Sequence, residues 1–287
     1  MPELPEVETT RRSLLPGLVG RRIETVTLRR DTLRLPIPPD FRQRVTGSRV
    51  IDIRRRAKYL LFDLDRGDTM LAHLGMSGSF LLTDASHRPR THDHVLLFLD
   101  NGQVLAFHDP RRFGLILIDK TDKIEAHSLL AHLGPEPLGA GFTPAYLAAV
   151  LAVRQGPIKP VLMDQRLVVG VGNIYASESL FLARIHPATP AARVAASSHA
   201  LVAAIHQSLN AALASGGSSL RDFTSGDGKT GYFQHQFNTY EREGEPCVAC
   251  AAPIARIMQA GRASYFCPQC QKQKSARKKS KQKTAKK

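Results

Sequence analysis

Apolar and polar positions follow two different rhythms along this chain, and the change between them divides it. Residues 2–15 place Leu4, Val7, Leu14 and Leu15 at helical spacing, with Glu3, Glu6 and Glu8 early and Arg11 and Arg12 late, the charge order that suits a helix dipole. From about residue 21 to 118 the pattern becomes short alternating runs, such as Thr25-Val26-Thr27-Leu28 and Ile51-Asp52-Ile53, separated by turn residues, which predicts strands. The clearest hairpin joins Val95–Leu99 to Gln103–Phe107 across Asp100-Asn101-Gly102, where Asn-Gly supplies the positive φ angles of a tight turn. Another turn is expected at Asp65–Asp68. Many short strands with no strand–helix alternation predict an antiparallel sandwich or barrel.

Glycine and proline then cluster in Leu133-Gly134-Pro135-Glu136-Pro137-Leu138-Gly139-Ala140-Gly141, which breaks regular structure and marks a linker. Beyond it, Pro144–Arg154, Ile174–Ala183 and Ser197–Ala214 are rich in Ala and Leu at helical spacing. Glycine-bearing turns at 169–172 and 215–218 interrupt these helices, and a polar stretch runs from Ser225 to Gly231. The fold class expected is α+β and multidomain.

The composition sharpens this layout. A chain of 287 residues, 43% hydrophobic, is long enough for two cores. Lys and Arg outnumber Asp and Glu by 40 to 25, and removing the nine basic residues of 272–287 from a net +15 still leaves +6 on the body. Such an excess points to a polyanionic partner, nucleic acid first. A membrane surface fits the charge as well. However, no apolar run reaches the roughly 18 residues of a membrane-spanning helix, and the start lacks a signal peptide's regions, so a cytoplasmic protein is expected.

All four cysteines fall in Cys247-x2-Cys250 and Cys267-x2-Cys270, with sixteen residues between the pairs. That is zinc-ribbon spacing, and four thiolates complete a tetrahedral shell around one structural Zn2+ with no position open for catalysis. Two disulfides are the alternative, which would need an oxidising compartment. Between the pairs, Ile254–Gln259 and Ala263–Phe266 read as two strands with Ala260-Gly261-Arg262 at their turn.

The N-terminus offers different chemistry. Initiator methionine is removed before a small second residue, so Pro2 is expected to become the terminal amine. An α-amino group titrates near ~8 and lysine near ~10.4, so a neutral amine at pH 7 costs roughly 3 kcal/mol less at the terminus. Such an amine attacking a sugar C1′ would expel a base and leave an iminium that acidifies C2′. Glu3 beside it would serve as proton donor once its pKa is raised. Taken alone, Pro2-Glu3 reads equally as a helix start.

The wider pattern decides between these readings. Met1-Pro2-Glu3-Leu4-Pro5-Glu6-Val7-Glu8, Arg55-Arg56-Ala57-Lys58-Tyr59, His73-Leu74-Gly75-Met76-Ser77-Gly78, Asp109-Pro110-Arg111-Arg112-Phe113-Gly114, Gly170-Val171-Gly172-Asn173-Ile174-Tyr175 and the cysteine cluster follow one another in the order of the formamidopyrimidine-DNA glycosylase family, which the chain resembles over nearly its whole length. The resemblance implies an N-terminal helix with an antiparallel β-sandwich (1–133), a linker (134–143), a helical helix-two-turn-helix domain (144–237) and a four-cysteine zinc ribbon (238–272); the family's usual end is near Lys272, and the Lys-, Gln-, Ser- and Ala-rich composition beyond it predicts a disordered basic tail (273–287). It implies that Pro2 is the Schiff-base nucleophile, Glu3 a proton donor, Lys58 the assistant of β-elimination and Arg262 that of δ-elimination. Met76, Arg111 and Phe113 would fill the gap left by a flipped nucleotide. His92, Arg154, Lys159 and Asn173 would contact DNA, Asn173 at a helix start whose amides receive a phosphate. A lesion-binding loop is expected within Ser218–Tyr240. The implied partner is double-stranded DNA with oxidised bases, met by a monomer in the bacterial cytoplasm, nucleoid-associated through DNA, with no membrane. Two alternatives remain: an endonuclease VIII-like enzyme for oxidised pyrimidines, which Leu4 and the intact 109–114 motif disfavour, and a non-catalytic zinc-containing DNA-binding protein, for which retained Met1 would speak.

Overall fold

A computed structural model of the chain describes residues 1–84, 86, 88–216 and 237–273. Most of the expected lesion-binding loop and nearly all of the basic tail lie outside the described residues. Helix α1 (Leu4–Leu18) opens with Pro5 in its first turn, where a missing N–H costs nothing, and Glu6 accepts a hydrogen bond from the Glu3 amide at 2.9 Å. Val7, Leu14 and Leu18 turn inward and are completely buried.

The strands follow as β1 (Ile23–Leu28), β2 (Val50–Arg56), β3 (Tyr59–Leu64), β4 (Asp68–His73), β5 (Ser79–Thr83), β6 (Asp93–Leu99), β7 (Val104–His108) and β8 (Leu115–Lys120), with α2 (Phe41–Val45) between the first two. They form two antiparallel four-stranded sheets, in the orders β1-β6-β7-β5 and β2-β3-β4-β8. Phe62 of one sheet meets Phe80 of the other at 5.3 Å between ring centroids, and Phe80 meets Phe107 at 5.0 Å, so aromatic contacts fill the sandwich. The β3–β4 turn falls where Asp65–Asp68 predicted it. The β6–β7 turn differs in kind: only Gly102 takes a positive φ, of 79°, while the Asn101 side chain bonds to Gln103.

The second unit holds α3 (Pro144–Ala152), α4 (Ile158–Leu162), α5 (Asn173–Leu182), α6 (Ala191–Val194) and α7 (Ser198–Ala214). Their core gathers Leu147, Leu151, Val168, Tyr175, Leu180, Leu201 and Leu209. The short α2, α4 and α6 escape sequence reading because four or five residues carry too little periodicity. After them, β9 (Ala255–Gln259) and β10 (Arg262–Phe266) form a hairpin over a two-residue turn, Ala260 at φ 46° and Gly261 at φ 73°. Arg262 is the first residue of β10. Among the described residues, no helix is long and apolar enough to cross a membrane.

The linker is pinned to the sandwich. Glu136 accepts from Arg55 Nη1 at 2.7 Å, Arg56 Nη1 at 3.1 Å and the Ala57 amide at 2.7 Å, while Arg56 also reaches the carbonyls of Leu133 and Gly134. Arg55 holds Glu8 of α1 as well; burial would raise the Glu8 pKa, but hydrogen bonds from Arg11 and Arg12 outweigh it and bring it to about 2. Ala57, at φ 55°, occupies a turn position that favours glycine, and its N–H and C=O are clasped by Glu136 and Arg55. Glu136→Ala strips two arginines and one buried amide of their acceptor and is expected to lower stability by about 2 kcal/mol, measured by urea denaturation.

Candidate active site

The carboxylate of Glu3 sits on the N-terminus of α5. Its oxygens accept from the amides of Gly172 at 2.7 Å, Ile174 at 3.0 Å and Tyr175 at 3.4 Å, where the exposed positive end of a helix stabilises an anion. Gly172 permits this approach, because a Cβ there would lie 2.4 Å from the Glu3 carboxyl carbon. Amides on either side of Asn173, at the helix start expected to receive a phosphate, thus hold a carboxylate of the protein itself. Pro2, one residue earlier, is buried, and Met1 is 47% exposed at the mouth of a cleft.

That cleft, of about 530 Å3, is lined by Met1, Glu3, Lys58, His73, Asn173 and Arg262, with Met76, Arg34, His132 and Tyr240 among the further residues. Three of the expected catalytic residues, Glu3, Lys58 and Arg262, therefore meet in one cleft from three distant stretches of chain, with Pro2 buried between Met1 and Glu3 of its lining. Its electrostatics are unusual. Burial pushes the Glu3 carboxyl up from its ordinary value, with Lys58 opposing and Glu6 adding to the rise. Burial pushes the Lys58 ammonium down, against the pull of Glu3 and Glu6 and with the help of Arg262. The carboxyl thus holds its proton more tightly, and the amine less tightly, than either group does in water, even though the α5 amides and Lys58 pull the carboxyl the other way.

His73 and Tyr240 line the same cleft and were missed by sequence reasoning, although His73 opens a motif that was read for Met76. Burial, with Lys58 and Arg34 adding, lowers the His73 pKa to about 4, and its Nδ1 accepts from the Gly75 amide at 2.9 Å. A neutral ring accepting at Nδ1 carries its proton on Nε2. Tyr240 is placed by Glu178, whose buried carboxylate accepts from the amides of Asn238, Thr239 and Tyr240 at 2.8–2.9 Å.

Met76 and Phe113 are exposed by 39% and 45%, with Arg111 stacked 4.9 Å above the Phe113 ring. Their two loops touch at Gly75, where a Cβ would lie 2.3 Å from the Phe113 carbonyl carbon. Asp109 ties them further, accepting from Ser77 Oγ at 2.9 Å and the Gly114 amide at 2.7 Å. Solvent-exposed apolar tips on a rigid base suit insertion into a stacked duplex. His92 is half-buried outside the cleft, its ring against those of His94 and His108, and Arg154 lies outside it too, 3.6 Å from Asp164. Lys159, expected among the DNA contacts, is buried instead. Its three donors go to Asn173 Oδ1 at 2.7 Å, the Ala263 carbonyl at 2.6 Å and Ser264 Oγ at 3.0 Å, so it joins α5 to the β9–β10 hairpin. Burial, opposed by Glu3, brings its pKa to about 8. Asn173 is engaged at both ends, its Nδ2 donating to the Tyr240 hydroxyl at 3.3 Å.

The sulfurs of Cys247, Cys250, Cys267 and Cys270 all lie within 4.8 Å of one another, with separations of 3.9 Å and 3.4 Å between the facing pairs. Disulfide sulfurs would stand about 2.05 Å apart. Four sulfurs around zinc at about 2.3 Å would be spaced by about 3.8 Å, so the donor set fits one Zn2+ at the base of the hairpin that carries Arg262.

Comparison with known proteins bears directly on this geometry. Residues 1–116 match the family model of the formamidopyrimidine-DNA glycosylase N-terminal domain, residues 133–224 that of the formamidopyrimidine-DNA glycosylase H2TH domain, and residues 244–273 that of the zinc finger found in FPG and IleRS. Formamidopyrimidine-DNA glycosylases from Cereibacter sphaeroides and Thiobacillus denitrificans are 48% and 52% identical, over 95% of this chain and 100% of theirs. Among solved structures, the MutM (FPG) protein from Thermus thermophilus superposes with a TM-score of 0.85 at 42% identity, covering 94% of this chain and 98% of its own. A Lactococcus lactis FPG mutant in complex with DNA containing Fapy-dG superposes at 0.88 and 35% identity, covering 95% and 100%. The fold is therefore α+β, a sandwich joined to a helix-two-turn-helix domain and a zinc finger with one structural zinc.

Two outcomes are expected from the site's ionisation and metal chemistry. A histidine that folds neutral costs stability once the unfolded chain takes up its proton, so melting temperature should fall as pH drops from 6.5 toward 4, and His73→Gln should flatten that fall. Native mass spectrometry should find one zinc per chain, lost in Cys267→Ser together with a lower melting temperature.

Proposed function

Because the chain belongs to the formamidopyrimidine-DNA glycosylase family, we propose that it releases oxidised purines, 8-oxoguanine and formamidopyrimidines, from double-stranded DNA and then cuts the strand as an AP lyase. The observation that carries this is the meeting in one cleft of the Met1-Pro2 end, Glu3, Lys58 and Arg262, with Glu3 made more proton-retentive and Lys58 less so.

Removal of Met1 frees the Pro2 amine. Its lone pair forms a bond to C1′ of the flipped nucleotide as the glycosidic bond breaks, and the amine proton passes to the departing base. Glu3 then donates a proton to the sugar ring oxygen, the bond from C1′ to that oxygen breaks, and the freed nitrogen lone pair completes an iminium. Loss of a C2′ proton, assisted by Lys58, expels the 3′-phosphate, and a further elimination assisted by Arg262 expels the 5′-phosphate, leaving a gap flanked by phosphates. Zinc, held by the four cysteines, braces the Arg262 hairpin and takes no part in these steps.

Met76, Arg111 and Phe113 fill the space of the extruded nucleotide, Arg111 facing the orphaned base. Their clustering supports the oxidised-purine reading over an endonuclease VIII-like preference. His92, Arg154 and Asn173 contact the DNA backbone in this reading, while Lys159 supports Asn173 from behind. The units 1–133, 144–237 and 238–272 act together as a monomer on nucleoid DNA in the bacterial cytoplasm, away from membranes, with 134–143 as linker and 273–287 as a basic tail.

Demethionylated protein, verified by intact mass, is expected to give a borohydride-dependent crosslink to duplex DNA carrying 8-oxoguanine opposite cytosine. Absence of that adduct would sink the mechanism, and stronger crosslinking to oxidised pyrimidines would favour the alternative. Base release should fall as pH rises through the elevated Glu3 pKa, which removes its acid form, and Glu3→Gln should abolish that limb together with most of the activity.

A further inference from the structure

The nucleophile of the proposed reaction is a chain terminus, and a terminus is oriented only by what holds the residues after it. Glu3 is held twice. Its carboxylate rests on α5, and its amide donates to Glu6 Oε2 at 2.9 Å. The other oxygen of Glu6, Oε1, accepts from the hydroxyl of Tyr175 at 2.7 Å. Tyr175 is fully buried and stands in the first turn of α5, where its own amide donates to Glu3. One residue of the helical unit therefore touches both carboxylates of the α1 start, 169 positions or more away in sequence.

We propose that Tyr175 is a positioning residue for catalysis: through Glu6 its hydroxyl fixes the Glu3 amide, and with it the direction in which the Pro2 nitrogen faces the sugar. This role rests on the reading of Pro2 as nucleophile. Glu6 can hold the Glu3 amide with one oxygen because the second is fixed by Tyr175. Without the hydroxyl, Glu6 loses a 2.7 Å bond that fixes the direction of its carboxylate, which is then freer to turn and loosens its hold on the Glu3 amide. A misplacement of roughly 1 Å at a reacting atom costs on the order of 100-fold in rate. Binding of DNA draws on other groups, since Tyr175 is sealed from the cleft surface.

The test compares Tyr175→Phe, which keeps the packed ring and removes one oxygen, with the parent enzyme, both demethionylated. Single-turnover borohydride trapping on duplex DNA with an abasic site should slow by about tenfold or more, while the dissociation constant for DNA with an unreactive tetrahydrofuran analogue stays within about threefold. Glu6→Gln, whose single acceptor oxygen cannot serve both donors, should slow trapping likewise, and adding Tyr175→Phe to it should cost little more, because both act on the same bond. A parent that forms no adduct overturns the reading of the site and this role with it. A parent that reacts and a Tyr175→Phe variant that matches its rate overturn the role of Tyr175 alone. Rate and affinity falling in proportion, or additive losses in the double variant, overturn it as well.

Discussion

A carboxylate from the first structural unit is seated on a helix end of the second, and the rest of the site depends on that contact. Neither partner would be comfortable alone. The first amides of α5 would be buried without acceptors, and Glu3, 2% exposed, would be a charge with little water around it. Joined, each satisfies the other, and the Gly172 backbone makes room for the junction. The contact sets the spacing of the two units and the location of the chain start at once. A cleft between units, with the chain start in its lining, follows from it.

Around this seat the charges are arranged so that none is at rest. Glu3 and Glu6 lie side by side, Lys58 faces them, and Arg262 approaches Lys58 from the zinc hairpin. Burial moves acid and amine toward each other in proton affinity, which eases the passage of protons between such groups. Lys159, whose pKa comes down to about 8, holds Asn173 and the strand beside Arg262 with one ammonium.

Much of this was legible in the residues. Alternation found β1, part of β2 and the β6–β7 hairpin, helical spacing found the long helices, and cysteine spacing found the metal site, because each signal is local, whereas β3 and β4 are buried almost throughout and show no alternation. The set of Pro2, Glu3, Lys58 and Arg262 came from short motifs held in a family order. What escaped was everything set by contact across the chain. Tyr175 stood inside a quoted motif yet showed nothing of Glu6, and Glu136 read as a turn residue among prolines although it binds two arginines some 80 positions earlier. Lys159 looked like a surface cation because a lysine's burial cannot be read from its neighbours in sequence. The α5 start shows the same limit: an anion site was visible, but not that Glu3, from the opposite end of the protein, sits on the amides of Gly172, Ile174 and Tyr175.

The clasp of Arg55 and Arg56 on Glu136 bears on how such proteins can be recombined. A linker rich in glycine and proline looks like a natural crossover point for building chimeras from two relatives. Here the linker is stapled into the β2–β3 turn that presents Lys58, and Arg55 in turn holds Glu8 on the first helix. The unit of inheritance is thus not the sandwich up to residue 133 but the sandwich together with the first residues of the linker. A crossover placed after Glu136 keeps the clasp within one parent, whereas one placed before it trusts two lineages to have kept the same partners.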